Sequence, residues 1–256
     1  MSTYVVADPH GNYELFLQGL KKVKFGADDR LYVIGDIIDK GPDCMGLMQY
    51  IMDTENMDLI LGNHEHMMLN TIDLNGEDRW VGSDTTRWIE RNNGIVTYNK
   101  YLELPIEKRR ELINWLLTRK LIEELDITTE SGEVQRFVLT HTYYNPDYVG
   151  VPGNEVPYDK AFEILWFSMF RDGSTRCDRS IYDTYKDKIF ITGHVGVQRV
   201  RNEFESLDSL CAYKDGNFVD IDGGLSAQDK IVNNGMIFLR LEDMKEFIIP
   251  RVNSEK

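Results

Sequence analysis

The sequence contains little cysteine and no long apolar run. Its 256 residues include three cysteines, which stand far apart without a CxxC pair and fit reduced thiols better than a disulfide framework. A membrane-spanning helix needs roughly 20 consecutive apolar residues, and no such stretch occurs. The N-terminus also lacks the basic and apolar segments of a signal peptide. We therefore expect a cytoplasmic protein that does not cross a membrane.

Positive charge is also scarce, with 29 Lys and Arg residues against 43 Asp and Glu residues and a net charge of −14. This balance is unsuited to the phosphate backbone of nucleic acids or to an anionic membrane surface, because both attract basic proteins. It does not exclude a small phosphorylated substrate, since bound metal ions can reverse the sign of the field within one cleft. We expect neither nucleic acid nor membrane as a partner.

Several common catalytic motifs are absent as well. The chain has no GxxxxGK[ST] or GxGxxG segment, which argues against a P-loop and a dinucleotide-binding fingerprint. It has no GxSxG segment, so the nucleophile elbow of the α/β-hydrolases is not expected. The chemistry must come from other residue types.

What the chain does have is a regular alternation of strand and helix patterns over its first seventy residues. Short β-branched runs such as TYVVAD and RLYVIGD alternate with stretches of helical spacing such as NYELFLQGLKKV. This βαβαβ pattern predicts an α/β fold with a mostly parallel, covered sheet. Residues 77–118, approximately, predict a helical insert, and antiparallel strands are expected near the C-terminus. Because no linker or repeat divides the chain, we predict one domain over residues 1–256.

Polar clusters follow five of the apolar strand patterns. In open α/β sheets, ligands bind in the crevice beyond the carboxyl ends of the strands, so these clusters should converge there. A lone histidine after a strand is usually a structural hydrogen-bonding group, but five clusters built only of Asp, His and Asn in one topological place indicate a shared site. The clusters are Asp8 with His10, Asp36 with Asp39, Asn63 with His64, His141, and His194.

The chemistry of these side chains favours divalent metal ions. Oxygen and imidazole donors without thiolates suit Mn, Fe or Zn, and one carboxylate can bridge two metals through its two oxygens. Two metals about 3.5 to 4 Å apart are a recurring device for in-line displacement at phosphorus. We therefore predict two divalent ions, with Mn the first expectation and Fe or Zn as alternatives.

The motifs DxH, GDxxDxGP and GNHE, followed by two later histidines, occur here in a familiar order. In this respect the chain resembles the calcineurin-like metallophosphoesterase superfamily, and within it the phosphoprotein phosphatases with their bacterial and phage relatives. That group includes serine/threonine protein phosphatases and diadenosine tetraphosphatases. The resemblance extends from about residue 4 to 224. It implies a four-layer α/β/β/α sandwich of two mixed sheets.

The resemblance also implies a role for each motif residue. His64 would protonate the leaving oxygen, and Asp39 would orient its ring. The implied metal ligands are Asp8 and His10 for the first ion, Asp36 as the bridge, and Asn63, His141 and His194 for the second ion.

The phosphate-binding positions depart from the family pattern. Lys40 stands where the relatives have an arginine, and lysine offers a point charge rather than a two-pronged donor. A second phosphate-binding arginine is expected between the two late histidines. Arg171 is our prediction for it, with Arg176 and Arg179 as rivals.

Three further features allow more than one interpretation. Glu65 fits a supporting role beside the ligands and a charge at a helix N-terminus equally well. His66 is expected on the helix surface. The aromatic residues of the loop that follows His141, together with Trp166, Phe167 and Phe170, would either stack on a nucleobase or pack a long loop.

The implied reaction is hydrolysis of a phosphate monoester by direct attack of water activated between the metals. A serine/threonine protein phosphatase is our first expectation, and a bis(5'-nucleosyl)-tetraphosphatase is the alternative enzyme. An inactive binding module on the same fold is the rival from another class. The substrate would be a phosphorylated protein or a small phosphoester, and the oligomeric state is left open.

Overall fold

The computed structural model describes residues 1–168, 180–227 and 230–251. Within this part the strands are β1 (Thr3–Ala7), β2 (Arg30–Ile34), β3 (Met57–Ile60), β4 (Ile122–Thr128), β5 (Val134–Thr140), β6 (Lys188–Thr192), β7 (Tyr213–Asp215), β8 (Phe218–Asp220), β9 (Gly235–Arg240) and β10 (Lys245–Pro250). The helices are α1 (Tyr13–Val23), α2 (Cys44–Asp53), α3 (Asn63–Leu69), α4 (Gly94–Leu102), α5 (Ile106–Leu117), α6 (Tyr158–Trp166), α7 (Ser180–Thr184) and α8 (Val197–Arg201), with a π-helical segment at Thr86–Arg91. None of the helices in these residues is long and apolar enough to cross a bilayer.

The strands form two mixed five-stranded sheets, as the resemblance implied. The first has the order β10-β9-β1-β2-β3, with β1, β2 and β3 parallel and the two C-terminal strands antiparallel. The second has the order β4-β5-β6-β8-β7, with β5, β6 and β8 parallel. The strand pairs β4–β5 and β7–β8 are hairpins, because turn residues separate two strand-forming runs in each case.

The two sheets pack face to face because their strands alternate apolar side chains between two buried faces. Val5 and Ala7 of β1 point toward the other sheet and share a core cluster with Phe137 and Leu139 of β5. The neighbouring Val6 belongs to a different cluster, which includes the helices. Since side chains in a strand point to opposite faces in turn, both faces of β1 are apolar and both are covered.

Helices cover the outer face of each sheet. On the first sheet Phe16 of α1 packs against Phe238 of β9, with ring centroids 5.8 Å apart. On the second sheet Tyr144, which lies in the loop before α6, packs against Phe190 of β6 at 5.3 Å. Each fully buried aromatic side chain contributes roughly 2 to 3 kcal/mol of hydrophobic stabilisation. The fold is therefore the predicted α/β/β/α sandwich.

Helices also occupy much of the predicted insert between α3 and β4. They begin at Thr86 rather than near residue 77, and α4 packs on α2 while α5 packs on α3. We propose that residues 1–256 form a single domain with this insert, because side chains of both sheets share one core cluster.

Candidate active site

The polar clusters meet at one rim of the sandwich. Each cluster directly follows the carboxyl end of a strand: β1, β2 and β3 in the first sheet, and β5 and β6 in the second. Residues that are far apart in the sequence are in contact here. The backbone N–H of His194 donates to Asp8 Oδ2 over 2.9 Å, although 186 positions separate the two residues. The topology brings the sequence-predicted side chains together, with Arg171, Arg176 and Arg179 lying outside the described residues.

A first group of possible metal ligands consists of His10, Asp36 and His64. The Nε2 atoms of the two histidines lie 3.7 and 3.8 Å from Asp36 Oδ2. His10 Nδ1 is 3.0 Å from the carbonyl oxygen of Ile38. Because a carbonyl only accepts, Nδ1 carries the proton and the lone pair of Nε2 faces Asp36.

A second group consists of Asp36, His141 and His194, with the amide oxygen of Asn63 between them. Asn63 Oδ1 lies 2.9 Å from His141 Nε2 and 3.0 Å from His194 Nδ1. The two histidine nitrogens are 3.2 Å apart, and His141 Nε2 is 3.6 Å from Asp36 Oδ1. Oxygen and imidazole donors that converge in this way fit a divalent cation of the Mn, Fe or Zn type.

His10 and His141 are held in the form that binds metal. Burial, reinforced by neighbouring histidines, lowers the pKa of His10 and of His141 well below the usual value. Both rings are therefore neutral near pH 7. Metal coordination requires the neutral imidazole, so this state needs no proton loss before a cation binds.

Asp8 belongs to neither group of converging ligand atoms found among the described residues. Its Oδ2 accepts from the backbone of His194, and a Cβ at position 193 would stand 1.9 Å from that oxygen, so only Gly193 fits there. Burial, and then the nearby carboxylates of Asp222 and Asp36, raise the pKa of Asp8 well above the ordinary value. A cation in the cleft would relieve this repulsion, and the ligand role of Asp8 stays a prediction.

The backbone of the site is unusually strained. Non-glycine residues in the left-handed region cost on the order of 1 to 3 kcal/mol each and persist where their surroundings hold them. Six residues of the predicted site have positive φ: Asp8 (51°), His10 (42°), Asp36 (49°), Asp39 (64°), Lys40 (61°) and His194 (74°). Such clustering is typical of functional sites.

His64 and Asp39 form a buried pair beside the ligand groups. His64 Nδ1 lies 2.5 Å from Asp39 Oδ2. Burial lowers the pKa of His64, but the carboxylates of Asp36 and Asp39 outweigh it and raise the pKa to about 9. The ring is therefore protonated near pH 7, and its Nε2 faces the ligand groups, where it can donate a proton.

Glu65 ties the loop after β2 to the start of α3. Its Oε2 accepts from the backbone N–H groups of Asp36 and Gly62, each at 2.9 Å. Its Oε1 accepts from those of Ile37 at 2.9 Å and Ile38 at 3.3 Å. Burial raises the pKa of this carboxyl to about 7, and the bond from Gly62 N–H opposes the shift. These contacts therefore fit a role of Glu65 in supporting the neighbouring ligand residues better than a role as a charge at the helix N-terminus.

The expectation that His66 lies on the helix surface is wrong. The residue is 7% exposed, and its ring packs 5.3 Å from that of Tyr158. Burial lowers its pKa to about 4. The reason is tertiary, because Tyr158 of α6 packs on the ring, and Asp84 and Arg87 from later in the chain lie close to it.

A cleft of about 630 Å³ opens over the two ligand groups. Lys40 lines it, as do Arg199 and Lys230, which the sequence analysis did not single out. Arg199 lies in α8, five residues after His194, and this nearness in the sequence was the one available signal. Phe162 and Trp166 form the aromatic part of the wall, with centroids 5.6 Å apart and planes 17° apart. Phe167 instead packs on Tyr143, and Phe170 lies outside the described residues.

Residues 1–221 match the family model described as calcineurin-like phosphoesterase. Among curated proteins, the chain is 28% identical over 150 residues to the symmetrical bis(5'-nucleosyl)-tetraphosphatase of Proteus mirabilis, a match that covers 58% of this chain and 46% of that protein. The corresponding protein of Salmonella typhi is also 28% identical over 150 residues, with 45% of its length covered. The matched region thus spans less than half the length of these relatives.

Solved structures share the fold at low sequence identity. A putative diadenosine tetraphosphatase has a TM-score of 0.56 at 15% identity, and the match covers 98% of this chain and 94% of the other. A protein serine/threonine phosphatase from Saccharomyces cerevisiae has a TM-score of 0.52 at 15% identity, with 100% and 81% covered. At this level of identity the likeness concerns the fold.

Proposed function

Because this chain belongs to the calcineurin-like phosphoesterase family and is therefore a phosphoester hydrolase, we propose that its substrates are dinucleoside polyphosphates of the diadenosine tetraphosphate type. A serine/threonine phosphoprotein, which the sequence analysis placed first, is the second candidate. We place the dinucleoside polyphosphate before the phosphoprotein because of the cleft, where basic side chains and an aromatic pair lie next to the two ligand groups.

The composition of the cleft supports a nucleotide. A dinucleoside polyphosphate presents several negative charges in a row and an aromatic base at each end, whereas phosphoserine presents a single dianion. Lys40, Arg199 and Lys230 supply positive charge along the cleft. Phe162 and Trp166 supply aromatic surface, and stacking of a base on an aromatic side chain is worth about 1 to 3 kcal/mol. The names of the relatives point the same way, while the likeness to the yeast phosphatase concerns the fold.

In this proposal the side chains divide the work of hydrolysis. Asp8, His10, Asp36, Asn63, His141 and His194 would hold two divalent cations, for which Mn is the first expectation. Bound there, the cations would activate water and neutralise charge on the phosphoryl group. Lys40 would add a point charge to the phosphate, and His64 Nε2 would give its proton to the leaving oxygen while Asp39 holds the ring.

The cytoplasm is the proposed compartment, which agrees with the free thiols of Cys44 and Cys211 in the described part of the chain. The rival of an inactive binding module has little support, because the ligand positions and the His64–Asp39 pair hold competent residues. That rival would gain if purified protein supplied with Mn²⁺ failed to cleave p-nitrophenyl phosphate.

Direct comparison of substrates tests the proposal. We expect kcat/KM for diadenosine tetraphosphate to exceed that for a phosphoserine or phosphothreonine peptide by at least about tenfold, since stacking adds on the order of 1 to 3 kcal/mol per base. Phe162→Leu should lower kcat/KM for the dinucleotide about tenfold and affect p-nitrophenyl phosphate less. The exposed Trp80, at 47% exposure, offers Trp80→Leu as the matched control. A preference for the phosphopeptide would reverse the order of the two candidates.

Lys40 gives a second test within the same cleft. We predict that Lys40→Arg retains or lowers KM for p-nitrophenyl phosphate, because the guanidinium can grip phosphate with two parallel donors. Lys40→Gln should raise KM about tenfold, which corresponds to the loss of one charge-assisted contact of about 1.4 kcal/mol. Steady-state kinetics on the three proteins would decide the matter. A large loss of activity in the arginine variant would refute the phosphate-binding role.

A further inference from the structure

We propose that Trp88 and Thr97 are positioning residues that fix the Asp39 carboxylate and, through it, the ring of His64. Both belong to the segment between α3 and β4, which supplies no predicted metal ligand. The inference rests on the proposed role of His64 as the acid that protonates the leaving oxygen. It applies to any substrate whose leaving oxygen needs a proton.

The indole of Trp88 contacts the same oxygen of the Asp39 carboxylate as His64, the proposed acid. Trp88 Nε1 donates to Asp39 Oδ2 over 2.8 Å, and His64 Nδ1 lies 2.5 Å from the same atom. Trp88 is fully buried, and so is the Asp39 side chain, at 0% exposure each. With no solvent at this oxygen, the two N–H groups set the direction in which it points.

Thr97 contacts Asp39 at its other carboxylate oxygen and at its backbone. Its hydroxyl donates to Asp39 Oδ1 and accepts from the backbone N–H of Asp39 over 3.1 Å. A single hydroxyl group thus makes two hydrogen bonds to Asp39, one to its side chain and one to its backbone. Each carboxylate oxygen therefore has a side-chain donor, and the plane of the carboxylate is defined.

This support matters because the Asp39 backbone lacks regular structure. Asp39 and Lys40 both lie in the left-handed region, at φ of 64° and 61°, between the end of β2 and the start of α2. Such a loop fixes a side chain only when its surroundings hold it. If the carboxylate turned, the His64 ring could rotate, and Nε2 would no longer present a proton to the cleft.

The segment WIERNNGIVT builds the support from local geometry. Asn93, at φ of 62°, is the left-handed residue before α4, which delivers Thr97 within its first turn. Gly94 lies against the indole, and a Cβ at that position would come within 2.5 Å of Trp88 Nε1. The absence of a side chain at position 94 thus lets the indole reach Asp39.

Leaving-group dependence separates positioning of the acid from a general structural role. Trp88→Phe removes the N–H but keeps an aromatic ring, and Thr97→Val removes the hydroxyl but keeps the shape. With phenyl phosphate, whose leaving oxygen needs a proton, we expect kcat to fall about tenfold in each variant. With p-nitrophenyl phosphate, a good leaving group, the fall should stay within about twofold. KM should be unchanged, and Thr97→Ser should restore kcat.

Matched variants complete the test. Trp115→Phe changes a tryptophan of the same segment that packs on Arg119, and it should leave both substrates unaffected. In an Asp39→Asn background the effect of Trp88→Phe should disappear, because the two residues act in series. Equal losses on both substrates, or full additivity with Asp39→Asn, would overturn the inference. If Trp88→Phe does not fold, the Thr97 valine and serine variants give the same answer.

Discussion

Asp36→Asn should lower kcat for p-nitrophenyl phosphate by about three orders of magnitude and reduce the number of bound metal ions per chain. Among the described residues, Asp36 is the one shared by both ligand groups. Its Oδ2 faces His10 and His64, and its Oδ1 faces His141. Asparagine offers one neutral oxygen in place of two charged ones, so it cannot serve both groups at once.

The measurement pairs kinetics in Mn²⁺ with elemental analysis of the purified protein. Asp28→Asn, at an exposed position, is the control for the loss of one negative charge and should leave both quantities unchanged. An Asp36→Asn enzyme that retains two ions and the unmodified rate would remove the basis for a bridging role.

Glu65→Ala should lower the free energy of unfolding of the metal-free protein by about 4 kcal/mol or more. Four buried backbone N–H groups lose their acceptor, and each unsatisfied donor costs about 1 to 3 kcal/mol. The costs will not add fully, because the four groups share one carboxylate. The same change frees the loop that carries Asp36, so metal affinity should fall as well.

Urea unfolding in the presence of a chelator measures the free energy of unfolding without any contribution from bound metal. The exposed Glu55 provides Glu55→Ala as control, with an expected change within about 0.5 kcal/mol. A loss of less than 1 kcal/mol in Glu65→Ala would show that other groups, rather than this carboxylate, hold the loop.

Much of the fold was accessible from the sequence because its signals are local. Strand β1 and helix α1 lie where the change from β-branched runs to helical spacing predicted them. The β7–β8 hairpin forms beside the predicted Asp-Gly pair, with Gly216 and Asn217 as its two turn residues, and Gly216 takes the positive φ of 61° that the first turn position requires. The two-sheet arrangement came from the family resemblance, because strand patterns alone do not tell which strands pair.

The site was predictable in its residue types and less so in its contacts. Asp, His and Asn after several strands indicated a metal site, since the carboxyl ends of parallel strands share an edge. The burial of His66 was missed because α6, whose Tyr158 packs on its ring, comes from a later part of the chain. The contacts of Trp88 and Thr97 with Asp39 were missed for the same reason, at separations of 49 and 58 residues.

The amino-acid sequence by itself determined the order of strands and helices, the donor chemistry of the rim and the absence of nucleotide-binding glycine motifs. These properties depend on side-chain type and on periodicities of two or about four residues, which act within one element. Only the tertiary structure decided which oxygen faces which nitrogen, which histidine is buried, and that the helices before β4 hold Asp39. Those outcomes depend on contacts between residues far apart in the chain, whose geometry is set when the two sheets and their helices pack together.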